Sequence, residues 1–247
     1  MDNQFKNYLN PLLRQEDLTS LEMKSLMDLI MTGKLGFAQI ASCIIALQIK
    51  GVTPDEIASA ASVMRKHANK VKIKDTNYLI DTCGTGGDSL QTFNVSTLSA
   101  IVAAAAGAKV AKHGGRSVSS KCGSADVLEA LGVNVNLNHK NLGDLVDAIG
   151  IGFMFAPNYH PAMKFVAPVR KELEVRTIFN LLGPLTNPAS AKKQIIGVYS
   201  KELTLTFAKV LKELGSDHVL VVHGEDGMDE ISITGNTYVA ELKNNTI

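Results

Sequence analysis

The 247-residue sequence predicts a small all-helical N-terminal domain followed by a larger α/β domain with a mostly parallel sheet. Three observations carry that prediction. Apolar residues recur at helical spacing through roughly the first seventy residues; after them short β-rich runs alternate with helical stretches; and two glycine-rich loops each follow a candidate strand and precede a helix.

The N-terminal helices are read from three apolar stripes. Met23, Leu26, Met27 and Ile30 form the first, Ile40, Cys43, Ile44 and Leu47 the second, and Ile57, Ala60, Ala61 and Met64 the third. The punctuation between them is what helix ends require. Gly33 and Gly51 suit left-handed C-terminal positions, and Thr19 with Glu22 and Thr53 with Glu56 are spaced as capping boxes, the second reinforced by Pro54 at the first helical position. This domain is expected over 1–73, with helices from about 161–188, a Pro-punctuated segment, rejoining it. A polar linker, Lys70 to Asn77, leads into the α/β part, 74–247.

There the expected strands are Tyr78–Asp81, Lys109–Ala111, Val133–Val135, Gly152–Phe155, Gln194–Tyr199 and His218–Val222. Helices are expected at Thr97–Ala106, Ala125–Leu131, Leu142–Ile149 and Leu203–Leu214, the last with Phe207, Val210, Leu211 and Leu214 on one face. The final TYVAELKNNTI reads as a strand cut short before its partner.

Composition narrows the chemistry. Hydrophobic residues make up 45% of the chain, enough for a sizeable core. A net charge of +1 leaves no basic excess for a nucleic-acid backbone. The N-terminus lacks the charged head and apolar run of a signal peptide, and no apolar run is long enough to span a bilayer. Three widely spaced cysteines, Cys43, Cys83 and Cys122, fit reduced thiols and a cytoplasmic setting better than a disulfide framework or a zinc site.

The segment YLIDTCGTGGDSLQTFNVSTLSA, residues 78–100, runs from strand through glycine-rich loop into apolar helix. Gly84, Gly86 and Gly87 allow close approach of backbone to an anion, and Asn94, Ser96 and Thr97 stand where a helix N-terminus offers free N–H groups. A tight turn with an ordinary cap would use the same residues, and the spacing matches neither a P-loop nor the dinucleotide fingerprint. A second loop, Lys112 to Asp126, adds Lys112, Arg116 and Lys121 as charge-assisted donors and Ser117, Ser119, Ser120 and Ser124 as hydroxyls. Two such loops after neighbouring strands would converge on one crevice. A third turn, HGEDGMDEIS, places Asp229 and Glu230 side by side, a carboxylate pair suited to magnesium whose other positions are filled by phosphate oxygens and water. Between these lie His160, Arg170 and Arg176; an arginine can hold a carboxylate through two parallel hydrogen bonds, and His160 before Pro161 equally suits a structural cap.

Taken together, DTCGTGGD, TFNVST, KHGGRSVSSKCGSADVLEALG, the APNYHPAMK…APVRKELEVRTIFNLLGPLTNP stretch and GMDEIS resemble the anthranilate phosphoribosyltransferase family, in order and nearly end to end. The resemblance implies the nucleoside phosphorylase/phosphoribosyltransferase type of fold, with a helical domain that mediates homodimerisation and phosphoribosyl pyrophosphate bound between the domains. It implies transfer of the 5-phosphoribosyl group to the amine of anthranilate, in tryptophan biosynthesis, with release of pyrophosphate and inversion at the ribose carbon. By the same resemblance Gly84, Gly87, Asp88, Thr92, Asn94, Val95, Ser96, Thr97, Lys112, His113, Gly114, Gly115, Arg116, Ser117, Val118, Ser119, Ser120 and Ser124 contact the donor substrate. Ser96, Asp229 and Glu230 serve magnesium, as two ions, while Gly84 and Arg170 lie on the anthranilate path, Arg170 facing its carboxylate, and His160 is a further substrate-binding residue. No single catalytic acid or base is implied; Lys112, Asp229 and Glu230 would support charge in the transition state.

Two departures stand out. Gly115 occupies the position where the family usually has Asn, which removes an amide expected near the acceptor. Family members also normally continue well past GMDEIS, so the resemblance implies an incomplete sheet. The nearest alternatives are a pyrimidine nucleoside phosphorylase, for which a single-phosphate loop and no acidic metal turn are expected, and a non-catalytic nucleic-acid-binding relative, for which a basic stripe is expected.

Overall fold

The structure is a computed structural model that describes residues 4–88, 90, 92–116 and 122–247. Four helices open the chain: α1 (Gln4–Leu13), α2 (Ser20–Met31), α3 (Phe37–Lys50) and α4 (Pro54–His67). They are followed by β1 (Leu79–Thr82), α5 (Val95–Ala105), β2 (Lys109–Gly114), α6 (Ser124–Ala130), α7 (His139–Ile149) and β3 (Ile151–Phe155). Short helices α8 (Ala156–Tyr159), α9 (Ala167–Leu173) and α10 (Phe179–Leu182), with 3-10 turns at Pro161–Phe165 and Gly183–Leu185, lead to β4 (Lys193–Gly197), α11 (Glu202–Glu213), β5 (His218–Gly224) and β6 (Thr237–Lys243).

The chain divides into two compact units. One holds the residues up to Ala68 together with His160–Thr186; the other holds Asn69–Tyr159 and Asn187–Ile247. In the helical unit every residue of the three predicted stripes is buried, from Met23 on α2 to Met64 on α4. Both capping boxes form. Thr19 Oγ1 accepts the N–H of Glu22 at 3.3 Å while Glu22 accepts the N–H of Thr19 at 2.9 Å, and Thr53 and Glu56 repeat the exchange at 3.2 and 2.9 Å. Glu56 is wholly buried, yet both its oxygens are used: Oε1 accepts the N–H of Leu18 at 3.0 Å and Oε2 faces Lys50 Nζ at 2.9 Å. Gly33 and Gly51 take the expected left-handed φ of 71° and 84°. Helix α1 precedes the three stripes and buries Tyr8 and Leu12, one turn apart.

The second unit is an α/β sheet in the order β3-β2-β1-β4-β5-β6. β1 to β5 are parallel, and β6 closes the edge antiparallel to β5 with seven paired positions, His218 opposite Lys243 through Gly224 opposite Thr237. Because the chain leaves β1 for β2 on one side and β4 flanks β1 on the other, the order reverses at β1, and loops beyond the C-terminal ends of β1 and β4 diverge to leave a crevice. One expected strand is absent. Val133–Val135 is irregular, because Asn134 Oδ1 accepts the N–H of Asn136 at 2.9 Å in a local turn. Val135 is nonetheless buried, packed with Ala125, Leu128 and Phe153, so its β-branched side chain anchors a loop. On α11, Phe207, Val210 and Leu211 are fully buried as the stripe predicts, while Leu214 caps the helix and is only partly buried.

Candidate functional site

The site grows from the end of β1. After Thr82 the backbone leaves the sheet, its course held by the N–H of Cys83 on the carbonyl of Ile195 at 3.3 Å and that of Thr85 on the carbonyl of Gly197 at 2.9 Å. Gly86 and Gly87 have φ of 65° and 84°, a region that disfavours a side chain. Gly84 leaves little room: a Cβ there would lie 3.0 Å from Asp229 Oδ2 and 3.2 Å from the carbonyl of Gly197.

The loop re-enters structure at α5, whose cap residue Asn94 makes no side-chain cap bond and instead donates from Nδ2 to the carbonyl of Cys122 at 3.1 Å. Thr97 Oγ1 donates to Ser124 Oγ at 3.0 Å, so the two glycine-rich loops are joined across the start of α5. Lys112, on β2, is almost fully buried. Its ammonium donates to Ser96 Oγ at 3.0 Å and to the carbonyl of Thr82. One cation thus spans the end of β1 and the first turn of α5.

Beyond β5 the chain turns through Gly224–Glu230, braced by Asp226, which accepts from Ser232 Oγ at 2.6 Å and Thr234 Oγ1 at 2.7 Å. This turn delivers Asp229 and Glu230 to the same place. The N–H of Gly86 donates to Asp229 and the N–H of Ser96 donates to Glu230, which puts the latter at the positive end of α5. Burial, then the charge of Asp88, pushes the Asp229 carboxyl up to about 6. Burial, then Asp229, pushes Glu230 up to about 7, against the opposing pull of Lys112. Burial and neighbouring carboxylates thus disfavour the ionised forms of Asp229 and Glu230, a penalty that a bound cation would relieve. Among the described residues no set of three or more His, Cys, Asp or Glu is arranged as a closed metal cage. Asp229 and Glu230 are a carboxylate pair of the kind that can share a magnesium ion with substrate oxygens and water.

Thr82, Gly84, Ser96, Gly197 and Glu230 line a small cavity of about 120 Å³ together with Cys83 and Val95. Gly197 is needed there, because a Cβ would sit 1.5 Å from the carbonyl oxygen of Asp229. The structure therefore brings together Gly84, Asp88, Asn94, Val95, Ser96, Thr97, Lys112, Ser124, Asp229 and Glu230. His113 is buried in β2, its N–H on Asp81; Thr92 is exposed; Gly114 packs a ring edge of Phe153; and at Gly115 a Cβ would meet nothing within 4 Å.

Arg116, expected as an anion donor, is paired within the protein. Its guanidinium pairs with Asp126 and Glu129 on α6, both at 2.7 Å, and lies over the ring of Phe155, because the first turns of that helix present two carboxylates closer than any other anion. Ser117, Val118, Ser119, Ser120 and Lys121 lie outside the described residues. His160, Arg170 and Arg176 belong to the helical unit: His160 is buried, its carbonyl accepting the N–H of Met163 at 3.0 Å, and Arg170 is half-buried on α9, where burial lowers its pKa. Sequence reasoning missed Asp81 and Asn187, a buried, hydrogen-bonded pair, since Asp81 reads as the end of a strand and Asn187 as part of a Pro-punctuated turn, and nothing local says that they meet. It also missed Gly197, for which a glycine ending an apolar strand was the available signal.

Comparison with known proteins returns one consistent assignment. Residues 76–247 match the model of the glycosyl transferase family a/b domain, and residues 6–68 match that of its helical bundle domain. The chain is 56% identical over 244 residues to the anthranilate phosphoribosyltransferase of Hydrogenovibrio crunogenus, covering 99% of this chain and 72% of the relative. To that of Chromobacterium violaceum it is 58% identical over 239 residues, covering 97% and 70%. The Thermus thermophilus anthranilate phosphoribosyltransferase crystal structure superposes with a TM-score of 0.88 at 43% identity, covering 96% of this chain and 73% of that one. The Saccharomyces cerevisiae enzyme in complex with PRPP and Mg superposes with a TM-score of 0.89 at 31% identity, covering 98% and 73%.

Proposed function

Since the chain belongs to the anthranilate phosphoribosyltransferase family, we propose that the crevice beyond β1 and β4 is its phosphoribosyl pyrophosphate site. The reaction is transfer of the 5-phosphoribosyl group to the amine of anthranilate, with release of pyrophosphate, a step of tryptophan biosynthesis. The observation that carries the site assignment is the buried Lys112 ammonium held against Ser96 at the start of α5, beside two carboxyl groups whose pKa values are raised. The ammonium and helix N-terminus suit a pyrophosphate; the carboxylates suit the cation that accompanies it.

In this reading Gly84, Gly87, Asp88, Thr92, Asn94 to Thr97, Lys112 to Ser120 and Ser124 contact the donor substrate, and Ser96, Asp229 and Glu230 hold magnesium, as two ions. Bound magnesium neutralises pyrophosphate oxygens and so improves the leaving group. The protein's own contribution is positional. Lys112 and the N-terminal N–H groups of α5 stabilise the charge that develops on the departing pyrophosphate, so no strong base is needed. Arg170, a partly desolvated guanidinium, is assigned to the carboxylate of anthranilate, with His160 on the same acceptor side. In-line attack by the amine inverts the ribose carbon. The enzyme works in the cytoplasm as a homodimer formed through the helical unit.

Isothermal titration of the chain with phosphoribosyl pyrophosphate, with and without magnesium, tests the donor site. Magnesium-dependent binding that disappears in Asp229→Ala/Glu230→Ala is the expected result; binding of equal strength in that variant would overturn the assignment. Anthranilate fluorescence with Arg170→Ala tests the acceptor side, where unchanged anthranilate affinity would remove Arg170 from it.

A further inference from the structure

Asp81 is a fully buried carboxyl group that the reaction itself does not call for. It stands one residue before the end of β1, and both its oxygens are engaged: Oδ1 accepts the N–H of His113 at 3.1 Å and Oδ2 accepts from Asn187 Nδ2 at 2.7 Å. Asn187, also buried, donates to the carbonyl of Ala111 at 2.9 Å and accepts the N–H of Ala189 at 2.8 Å. The two main-chain groups held in this way, the carbonyl of Ala111 and the N–H of His113, flank a single residue, Lys112.

Strand pairing explains why they must be held. β1 and β2 pair only at Leu79 with Lys109 and Ile80 with Val110, whereas on the other edge β2 stays paired with β3 as far as Gly114. β1 and β2 therefore part after Val110, two residues before Lys112, and the side chains of Asp81 and Asn187 replace the missing ladder. Buried main-chain groups without such partners would be costly. The charge is also matched: burial pushes the Asp81 carboxyl up, and the nearby Lys112 is the largest influence opposing it.

Resting on the donor-site reading above, we propose that Asp81 and Asn187 are positioning residues for the donor substrate. They fix the backbone on both sides of Lys112 across the gap between β1 and β2, and so keep the ammonium aimed at Ser96 until a pyrophosphate arrives.

The test compares Asp81→Asn, close to isosteric, with the parent chain and with Tyr159→Phe, which removes a buried hydroxyl bonded to the carbonyl of Leu137 elsewhere in the same unit. Titration with phosphoribosyl pyrophosphate at saturating magnesium, and steady-state kinetics, are run at a temperature where circular dichroism shows each variant folded. Positioning predicts a Kd and KM for the donor raised about tenfold or more, one lost charged contact's worth, with the KM for anthranilate within twofold and Tyr159→Phe unchanged in both. A purely structural role lowers the melting temperature and kcat and leaves the donor KM alone, and that result overturns the proposal. Asn187→Ala is read by the same criterion, so failure of Asp81→Asn to fold does not shield the idea. If Lys112→Ala abolishes binding while Asp81→Asn and Asn187→Ala retain parental affinity, only this inference falls; if the parent chain itself binds no donor, the donor-site reading falls with it.

Discussion

Lys112 keeps its charge nearly out of contact with water, with Ser96 Oγ at 3.0 Å and the Thr82 carbonyl as partners. A cation so placed is stable only where anions approach it, and replacing it with the similarly sized Met tests how much of donor binding it carries. Losing one partner of a buried charge pair costs about 2–5 kcal/mol, so the donor Kd of Lys112→Met is expected to rise roughly 30-fold or more; a change under threefold by titration would remove Lys112 from the site. The acidic side has its own signature in pH. Asp229 is pushed up to about 6 and Glu230 to about 7, above their unfolded values of about 4. The folded chain then binds protons more tightly than the unfolded one, and the penalty of ionising these groups grows as pH rises from about 4 to 7 and is complete above that. Magnesium relieves it, so the rise in melting temperature on adding magnesium chloride is expected to be larger at pH 8 than at pH 5; equal rises would contradict the cation assignment. Lys112, Ser96, Asp229 and Glu230 were all legible in the sequence, because each stands in a short motif with a chemical reason. Asp81 and Asn187 were not, since their significance arises only when β1 and β2 separate.

At the scale of elements, β4 and the turn after β5 meet at one glycine. A methyl group on Gly197 would lie 1.5 Å from the carbonyl oxygen of Asp229, a backbone atom, so no side-chain rotation relieves the clash. Gly197→Ala is expected to displace the turn that bears Asp229 and Glu230, cost about 1–3 kcal/mol of stability as overpacked sites do, and weaken magnesium-dependent donor binding. Retention of parental magnesium dependence, followed by titration calorimetry, would show that the turn tolerates the shift. The elements themselves were largely readable in advance. Helices with apolar stripes and capping pairs, such as α2 and α4, announce both their faces and their ends in local sequence. Val133–Val135 misled because one buried valine in a turn mimics strand alternation, and α1 carried too weak a signal, with Pro11 inside it and only Tyr8 and Leu12 buried. Sheet order is a tertiary property: nothing local to β4 states that it pairs with β1.

For the whole molecule, the near-neutral charge of +1 bears on assembly, because self-association meets little long-range repulsion. The helical unit exposes Leu13 at 66%, Phe37 at 55% and Ile49 at 70%, on α1 and α3, two helices that pack together. Single exposed apolar residues are common on any surface, so exposure alone decides nothing. What favours an interface is that three large side chains come from adjoining helices whose inner faces are already occupied, by Tyr8 and Leu12 on α1 and by Ile40, Ile44 and Leu47 on α3. A stable dimer requires about 800 Å² from each partner, and apolar anchors of this kind supply its centre. Light scattering at micromolar concentration is therefore expected to give the mass of two chains. Phe37→Asp/Ile49→Asp, which alters two exposed positions and leaves the buried stripes intact, is expected to give the mass of one chain with unchanged helical circular dichroism. A parent that scatters as one chain, or a double variant that still scatters as two, would place the interface elsewhere or abolish it, and donor titration of the separated chains would then show whether the crevice beyond β1 and β4 functions without a partner.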